Sequence, residues 1–350
     1  MRRFQMSMVT YKDSGVDISK NNLAKKRIGE HVRSTFSKNV LADFGAFGAM
    51  YSIGKTGMKD PVLVSSADGV GTKIKLASMS GMYDTVGQDL VNHCVNDILV
   101  MGAKPLFFLD YLAFSKAEPM VVEQIVKGVA AACKANGLSL IGGETAQMPG
   151  LYSPGDFDLA GFIVGILDRK NAVTGKEIRP GHAVIGIFSN GLQTNGYSLA
   201  NKVFFDMAKM QLNDKPAGLG GQSIKEALMA IHPSYLKAVQ AVMNARTGIK
   251  GMAHITGGGL VENIPRVLPK SCSAELDTRS WKVLPVFNMI ETLGKVPKDD
   301  MYRTFNMGIG FVLVVDQKDE AKTMAAIRKA KFSCAKIGKI VKGGQQVLIR

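Results

Sequence analysis

Cysteine is scarce in this sequence, aromatic residues are few, and long apolar runs are missing. The four cysteines stand at 94, 133, 272 and 334, with no C-x-x-C pair and no matching histidine spacing, so neither a zinc knuckle nor a disulfide framework is indicated. Read singly they are small buried hydrophobes, in keeping with a reducing compartment. Aromatic residues make up 7% with a single Trp, little material for stacking nucleic-acid bases. No apolar run approaches the roughly 18 residues that cross a bilayer. The start Met1-Arg2-Arg3-Phe4-Gln5-Met6 carries charge without the apolar core of a secretory signal. A cytoplasmic address is therefore expected, and a membrane partner is not.

What is present is material for a sizeable core: 350 residues, 46% hydrophobic and 21% charged, a length that suggests two domains. The formal net charge of +15 favours polyanions, whether nucleic acid or the phosphates of small molecules. The basic residues are scattered, with local knots at Lys25-Lys26-Arg27 and Arg328-Lys329-Ala330-Lys331 on expected helix faces, which argues for a solvated surface with phosphate affinity rather than a nucleic-acid binder. Strands are expected at 61–66, 106–113, 138–142 and 158–167, with helices at 87–101 and 119–136 between them. The polar stretch 168–180, with Gly175 and Pro180, reads as a boundary between domains 1–170 and 171–350. Beyond it the pattern predicts strands at 182–188, 311–315 and 346–349 and helices at 195–209, 223–230, 233–244, 284–293 and 318–331.

Several strand ends carry chemistry. The first delivers Asp68-Gly69-Val70-Gly71-Thr72-Lys73: a carboxylate for a divalent cation, glycines whose N–H groups can approach phosphate, and a point charge. The same Asp-Gly could equally make a hairpin turn. On the helix that follows, Asp89, His93 and Asp97 recur every four residues and share a face. Asn96-Asp97 in an apolar stretch needs partners, for which a metal-bound phosphate is a ready candidate; His93 reads as a bystander, because magnesium prefers oxygen. Ile141-Gly142-Gly143-Glu144-Thr145 offers a third carboxylate or a wide turn with a surface Glu, and Asp110 stands at another strand end. The second half adds two glycine turns leading into helices. One is Ser189-Asn190-Gly191-Leu192-Gln193-Thr194-Asn195-Gly196-Tyr197-Ser198, with Thr194 or Asn195 as the N-cap. The other is His254-Ile255-Thr256-Gly257-Gly258-Gly259-Leu260, and each is an anion site or merely a helix cap.

These runs, together with Tyr11-Lys12-Asp13-Ser14-Gly15-Val16-Asp17-Ile18, Cys94-Val95-Asn96-Asp97, Glu262-Asn263-Ile264-Pro265-Arg266 and Met301-Tyr302-Arg303-Thr304-Phe305-Asn306, span nearly the whole chain in order. The chain resembles the phosphoribosylformylglycinamidine cyclo-ligases, also called aminoimidazole ribonucleotide synthetases. The resemblance implies an α/β (α+β) two-domain fold. Its N-terminal four-stranded sheet forms a barrel across a homodimer, and its C-terminal domain is an α/β sandwich. It also implies ATP-dependent closure of an imidazole ring in purine synthesis, by phosphorylation of the formamide oxygen of formylglycinamidine ribonucleotide. Mg²⁺ would be held by Asp68, Asp97 and Glu144. ATP would be met by Lys12, Asp13, Gly15, Asp17, Gly69, Gly71, Thr72 and Lys73, and the substrate phosphate by Asn190, Gly191, Thr194, Asn195, Gly196, Gly257, Gly258 and Gly259. Lys73, Asp97, Gln193 and Asn195 would act in catalysis.

One departure stands out: the family's usual His-Ser before Asn-Gly-Tyr is Gln193-Thr194 here. Gln can orient or donate but cannot carry a proton at neutral pH, so the family's histidine was a positioning group or another residue such as His254 takes its role; the first reading is preferred. Lysines after the N-terminal loop are also shifted, to Lys25-Lys26, leaving open which cation reaches the nucleotide. Rival readings are weaker. A selenophosphate synthetase needs a reactive Cys that 12–22 lacks, and a thiamine-phosphate kinase would not carry the runs at 195–199 and 262–269.

Overall fold

Pro61-Val62-Leu63-Val64 alternates side chains in and out at the period of a strand, and the chain from there builds a four-stranded sheet with helices on one face. The computed structural model describes residues 18–45 and 48–350. Lys12, Asp13, Gly15 and Asp17, expected to fold over ATP, lie outside the described residues. The first half contains α1 (Ile18–Arg33), β1 (Pro61–Gly69), α2 (Lys73–Ser80), α3 (Tyr83–Leu99), β2 (Lys104–Phe114), α4 (Pro119–Asn136), β3 (Ser139–Gln147) and β4 (Phe157–Asp168). The sheet order is β1-β4-β2-β3, antiparallel except for β2 and β3. β1 runs straight into α2 through Gly71 rather than into a hairpin, which removes the turn reading of Asp68-Gly69.

Proline at its first turn starts α4, and Gly137, left-handed at φ 69°, stops it by donating to the carbonyls of Cys133 and Lys134. The bounds of α4 are those the sequence predicts. α3 and α4 cross at Gly87 and Gly128. A Cβ on Gly87 would stand 2.2 Å from the Ile125 carbonyl oxygen, and one on Gly128 would stand 2.0 Å from that of Asp84. The close approach seals Leu90, Val91, Ile98, Ile125 and Val129 from water. Each such side chain contributes roughly 1.5–3 kcal/mol.

The second half comprises β5 (Ala183–Phe188), α5 (Tyr197–Asn201), α6 (Ile224–Leu228), α7 (Leu236–Asn244), β6 (Ile249–His254), α8 (Gly259–Asn263), β7 (Cys272–Leu276), α9 (Pro285–Gly294), α10 (Lys298–Thr304), β8 (Ile309–Val315), α11 (Glu320–Lys329), β9 (Cys334–Lys342) and β10 (Val347–Ile349). Its sheet runs β10-β7-β9-β5-β8-β6, and β8 is buried at every position. β6, β7 and β9 were not expected from the sequence. The helix expected over 195–209 starts two residues later and gives way at Lys202–Met207 to a π-helical stretch. All four cysteines are free and buried. Among the described residues no helix is long and apolar enough to cross a membrane.

Candidate active site

Asp89, Asn92, His93, Asn96 and Asp97 lie at i, i+3, i+4, i+7 and i+8 along α3 and share one face, as the sequence indicates. That face is docked against the loop between α6 and α7. Asp89 Oδ1 accepts from the His232 N–H at 2.7 Å, and Asn92 Nδ2 donates to the His232 carbonyl at 2.8 Å. Asn96 Oδ1 accepts from the Tyr235 N–H at 2.8 Å, and its Nδ2 donates to the Pro233 carbonyl at 3.0 Å. The partner expected for Asn96, a metal-bound phosphate, is thus replaced by backbone of the second half.

Asp97 at the end of this face and Asp68 on β1 point into a cleft of about 550 Å³ lined by Ser66, Asp68, Asp97, His254, Thr256, Asn263 and Arg266, among others. Asp68 Oδ2 stands 2.7 Å from His93 Nε2. Burial pushes the Asp68 carboxyl up, but His93 outweighs it and holds the pKa below the ordinary value. Asp97 Oδ1 meets His254 Nδ1 at 2.8 Å and its Oδ2 accepts from Ser66 Oγ at 3.1 Å; His254 likewise overcomes the cost of burial and keeps Asp97 low.

His93 is no bystander. It is buried, with Nδ1 2.6 Å from Thr194 Oγ1 and Nε2 3.6 Å from Asp97 as well as against Asp68. Burial lowers its pKa, yet the carboxylates prevail and raise it. An imidazole is a poor ligand for magnesium, but this one bridges the two carboxylates instead. His232 and His254 complete a cluster of three imidazoles, their Nε2 atoms 3.1 Å apart.

The turns around the cleft meet one another. Thr72 Oγ1 lies 3.0 Å from Ser198 Oγ, and a Cβ on Gly257 would stand 3.3 Å from Asn195 Oδ1. Asn263 Nδ2 donates to the carbonyls of Thr256, Gly257 and Gly259 and fixes that turn. Asp68 and Asp97 line the cleft with Thr256, the neighbour of Gly257, while Gly71 and Thr72 meet the 194–198 turn and Asn195 meets Gly257.

Other expected residues are not so placed. Lys73 is fully buried, with Nζ 2.7 Å from Asp89 Oδ2 and donating to the carbonyls of Ala230 and Gln193 at 2.8 and 3.3 Å. Burial pulls its pKa down, with Asp89 opposing. With its donors spent inside, Lys73 ties α2 to the second half and does not present itself to a polyphosphate.

Glu144 stands apart from Asp68. Asp68, Gly161, Asp110 and Gly143 form one row across the sheet, so Asp68 and β3 are three strands apart, about 14 Å. Glu144 pairs with Tyr111, one residue on, and so points to the opposite face. Three carboxylates do not converge. Glu144 and Asp110 instead border a separate hollow of about 920 Å³ with Lys25, Lys26 and Phe44.

Gln193, at φ 68°, turns into the second domain, where its Nε2 donates to Tyr235 Oη at 2.7 Å, out of reach of the cleft. Thr194 is buried with its hydroxyl against imidazoles, so it neither meets phosphate nor caps α5, which opens after left-handed Gly196. Asn190 Nδ2 donates to the Ile231 carbonyl, and the Gly191 carbonyl accepts from Asn306. Gly196 is packed on the Phe305 ring and Gly259 on the Tyr302 carbonyl, as parts of turns rather than contact points; Gly258 is the left-handed N-cap of α8. His232 and Ser66 had no sequence signal: one sits in a loop without a motif, the other in an ordinary strand.

Residues 48–167 match the N-terminal domain of AIR synthase related proteins, and residues 179–350 match the C-terminal domain. The chain is 45% identical to a phosphoribosylformylglycinamidine cyclo-ligase of Alkaliphilus oremlandii, over 97% of this chain and 99% of that protein. It is 46% identical to the one of Bacillus cytotoxicus, over 95% of each. Among solved structures, a thiamine-monophosphate kinase from Stenotrophomonas maltophilia superposes with a TM-score of 0.67 at 16% identity, covering 92% of this chain and 95% of that one. The hydrogenase maturation protein HypE in complex with ATP gives 0.66 at 15%, covering 91% and 88%. At these identities the two structures speak for the fold alone.

Proposed function

Because this chain belongs to the phosphoribosylformylglycinamidine cyclo-ligase family, we propose that it uses ATP to close formylglycinamidine ribonucleotide into aminoimidazole ribonucleotide, releasing ADP and phosphate. What supports the reading in this molecule is the meeting of Asp68 and Asp97 in one cleft with Thr256, beside turns 69–72, 194–198 and 256–259 that touch one another. Both carboxylates are held anionic by imidazoles. Ser66 and Thr256 line the same cleft, so carboxylate and hydroxyl oxygens of the kind Mg²⁺ takes are gathered there, with His93 Nε2 between the two carboxylates. Magnesium held by Asp68 and Asp97 would neutralise charge on the transferring phosphoryl group.

The protein's own part is positioning. The backbone of 69–72 and 256–258 orients phosphates, Asn263 holds the second of these turns, Asn195 stands beside Gly257, and Arg266 adds positive charge on the cleft wall. No side chain is required as a covalent nucleophile, because the formamide oxygen accepts the phosphoryl group and the amidine nitrogen then displaces it as phosphate. The same reading makes the protein a cytoplasmic homodimer. The helix-free face of the first sheet supports association, with Leu63 61% and Phe162 46% exposed on it.

The test is turnover with Mg-ATP and formylglycinamidine ribonucleotide, following ADP and aminoimidazole ribonucleotide together. Matched release of both is expected, falling on the order of 10²–10³-fold in Asp68→Asn. ADP without imidazole would turn the reading into a small-molecule kinase, and no ADP at all would overturn it.

A further inference from the structure

The cleft is charged at its two ends and apolar between them. From Asp97 the wall follows α3 to Met101, one turn and about 6 Å on, and from His254 it follows β6 back to Met252, about 7 Å away on the same face of the strand. Val173 joins these two methionines, its N–H donating to the Met101 carbonyl at 3.1 Å. Beyond them lies the 3₁₀ turn Ile264–Val267, packed on the start of β6: a Cβ on Gly251 would stand 3.0 Å from Val267 Cγ2. Gly251 is three residues, about 10 Å, along the strand from His254. Arg266 on that turn lines the far end, and Gly175, pressed on the Val267 carbonyl, brings Thr174 to the same place.

Arginines elsewhere in the molecule are spent on carboxylates: Arg27, Arg33, Arg169, Arg279, Arg303 and Arg350 are each ion-paired. Arg266 is exposed to the cleft and makes no ion pair and no side-chain hydrogen bond among the described residues. A free guanidinium presents a rigid fork of N–H groups that matches two oxygens of a phosphate. The other end of the cleft holds Asp68 and Asp97, whose like charge disfavours an unaccompanied phosphate there. A ligand that fills the cleft therefore carries its phosphate at the Arg266 end and an uncharged body over Met101 and Met252. Its remaining end is one that carboxylates, or magnesium held by them, can face.

We infer, resting on the reaction proposed above, that Arg266 is the specificity residue that reads the 5′-phosphate of the ribonucleotide, with the Thr174 hydroxyl beside it. The ribose then lies over Met101 and Met252, and the formamide and amidine reach Asp68 and Asp97. This places the ribose phosphate away from the 190–196 turn, whose Asn190 and Gly191 are bonded inward and whose Gly196 is packed on the Phe305 ring. Arg266 stands at the end of the cleft remote from the carboxylates, so its contact is the same before and during the chemistry. Such a contact sets how tightly the ribonucleotide is held and not how fast it reacts.

The first test needs no turnover: ribose 5-phosphate is titrated into the free protein by isothermal calorimetry. Arg266→Gln is expected to weaken its binding on the order of tenfold, and Arg279→Gln, which removes an exposed arginine outside the cleft, to leave it unchanged. No binding to the unaltered protein, equal weakening in both variants, or none in Arg266→Gln overturns the assignment. The second test is kinetic. Arg266→Gln is expected to raise KM for the ribonucleotide on the order of tenfold, with kcat and the KM for ATP within about twofold, and Arg266→Lys, which keeps the charge and loses the fork, to fall between. A lower kcat with KM unchanged would move the arginine to the transferring phosphoryl group and also overturns it. Binding of ribose 5-phosphate that depends on Arg266, in a protein that does not turn over the ribonucleotide, would refute the proposed reaction and leave the phosphate site intact; turnover with a KM that Arg266→Gln does not move would do the reverse.

Discussion

Asp110 turns its carboxyl from β2 into the helices, and burial pushes its pKa up to about 7. The unfolded chain ionises near 3.9. Between those values the native state holds a proton that the unfolded state has released, so stability falls as pH rises from about 4 and the loss is complete above about 7. At about 1.36 kcal/mol per pH unit the loss is on the order of 4 kcal/mol at pH 8. Asp110→Asn is therefore expected to raise the thermal midpoint at pH 8 and to leave it nearly unchanged at pH 4; scanning calorimetry at the two values checks it. Gly143 admits this carboxyl: a Cβ there would stand 1.7 Å from Asp110 Oδ1. The sequence places Asp110 at a strand end, but β2 continues to Phe114 and the carboxyl is a buried acid in mid-strand, because burial depends on which helices cover the strand.

The polar face of α3 is an element-scale device, carrying the cleft at one end and holding the two halves together along its length. Asn96 answers a backbone N–H and a backbone carbonyl of the 233–235 loop. Asn96→Ala strands both, and a loss of about 3 kcal/mol is expected, read as a lower urea midpoint. The turn before α8 is fixed as firmly. Gly259 has φ 59°, and a Cβ on it would lie 2.0 Å from the Tyr302 carbonyl oxygen. Gly259→Ala should cost roughly 2–4 kcal/mol and reduce turnover through displacement of 256–258; denaturation and kinetics together check it. Periodicity made α3, α4 and their apolar faces readable, since those signals are local. It missed β6, β7 and β9, and it carried the helix after Asn195 past the point where π-helical turns replace it.

On the scale of the whole molecule, helices cover one face of the first sheet while Leu63 and Phe162 stay exposed on the other. If a second copy closes over that face, the particle in solution has twice the 37.6 kDa of the chain. Leu63→Glu combined with Phe162→Glu is expected to halve it, as sedimentation equilibrium would show; an unchanged mass would remove that face as the contact.

By itself the sequence determined the core faces, the glycine turns and the carboxylates of α3 and β1, because each depends on neighbours within a few residues. Which of those groups meet was decided only by the tertiary structure. Sheet order parts Glu144 from Asp68, although both lie on strands of the same sheet. Docking of the 229–235 loop buries Lys73, gives Asn96 backbone partners and inserts His232 between His254 and Thr194. Such contacts join residues from 22 to 157 positions apart, and no local pattern carries them, because their energy comes from surfaces that exist only once both halves have folded.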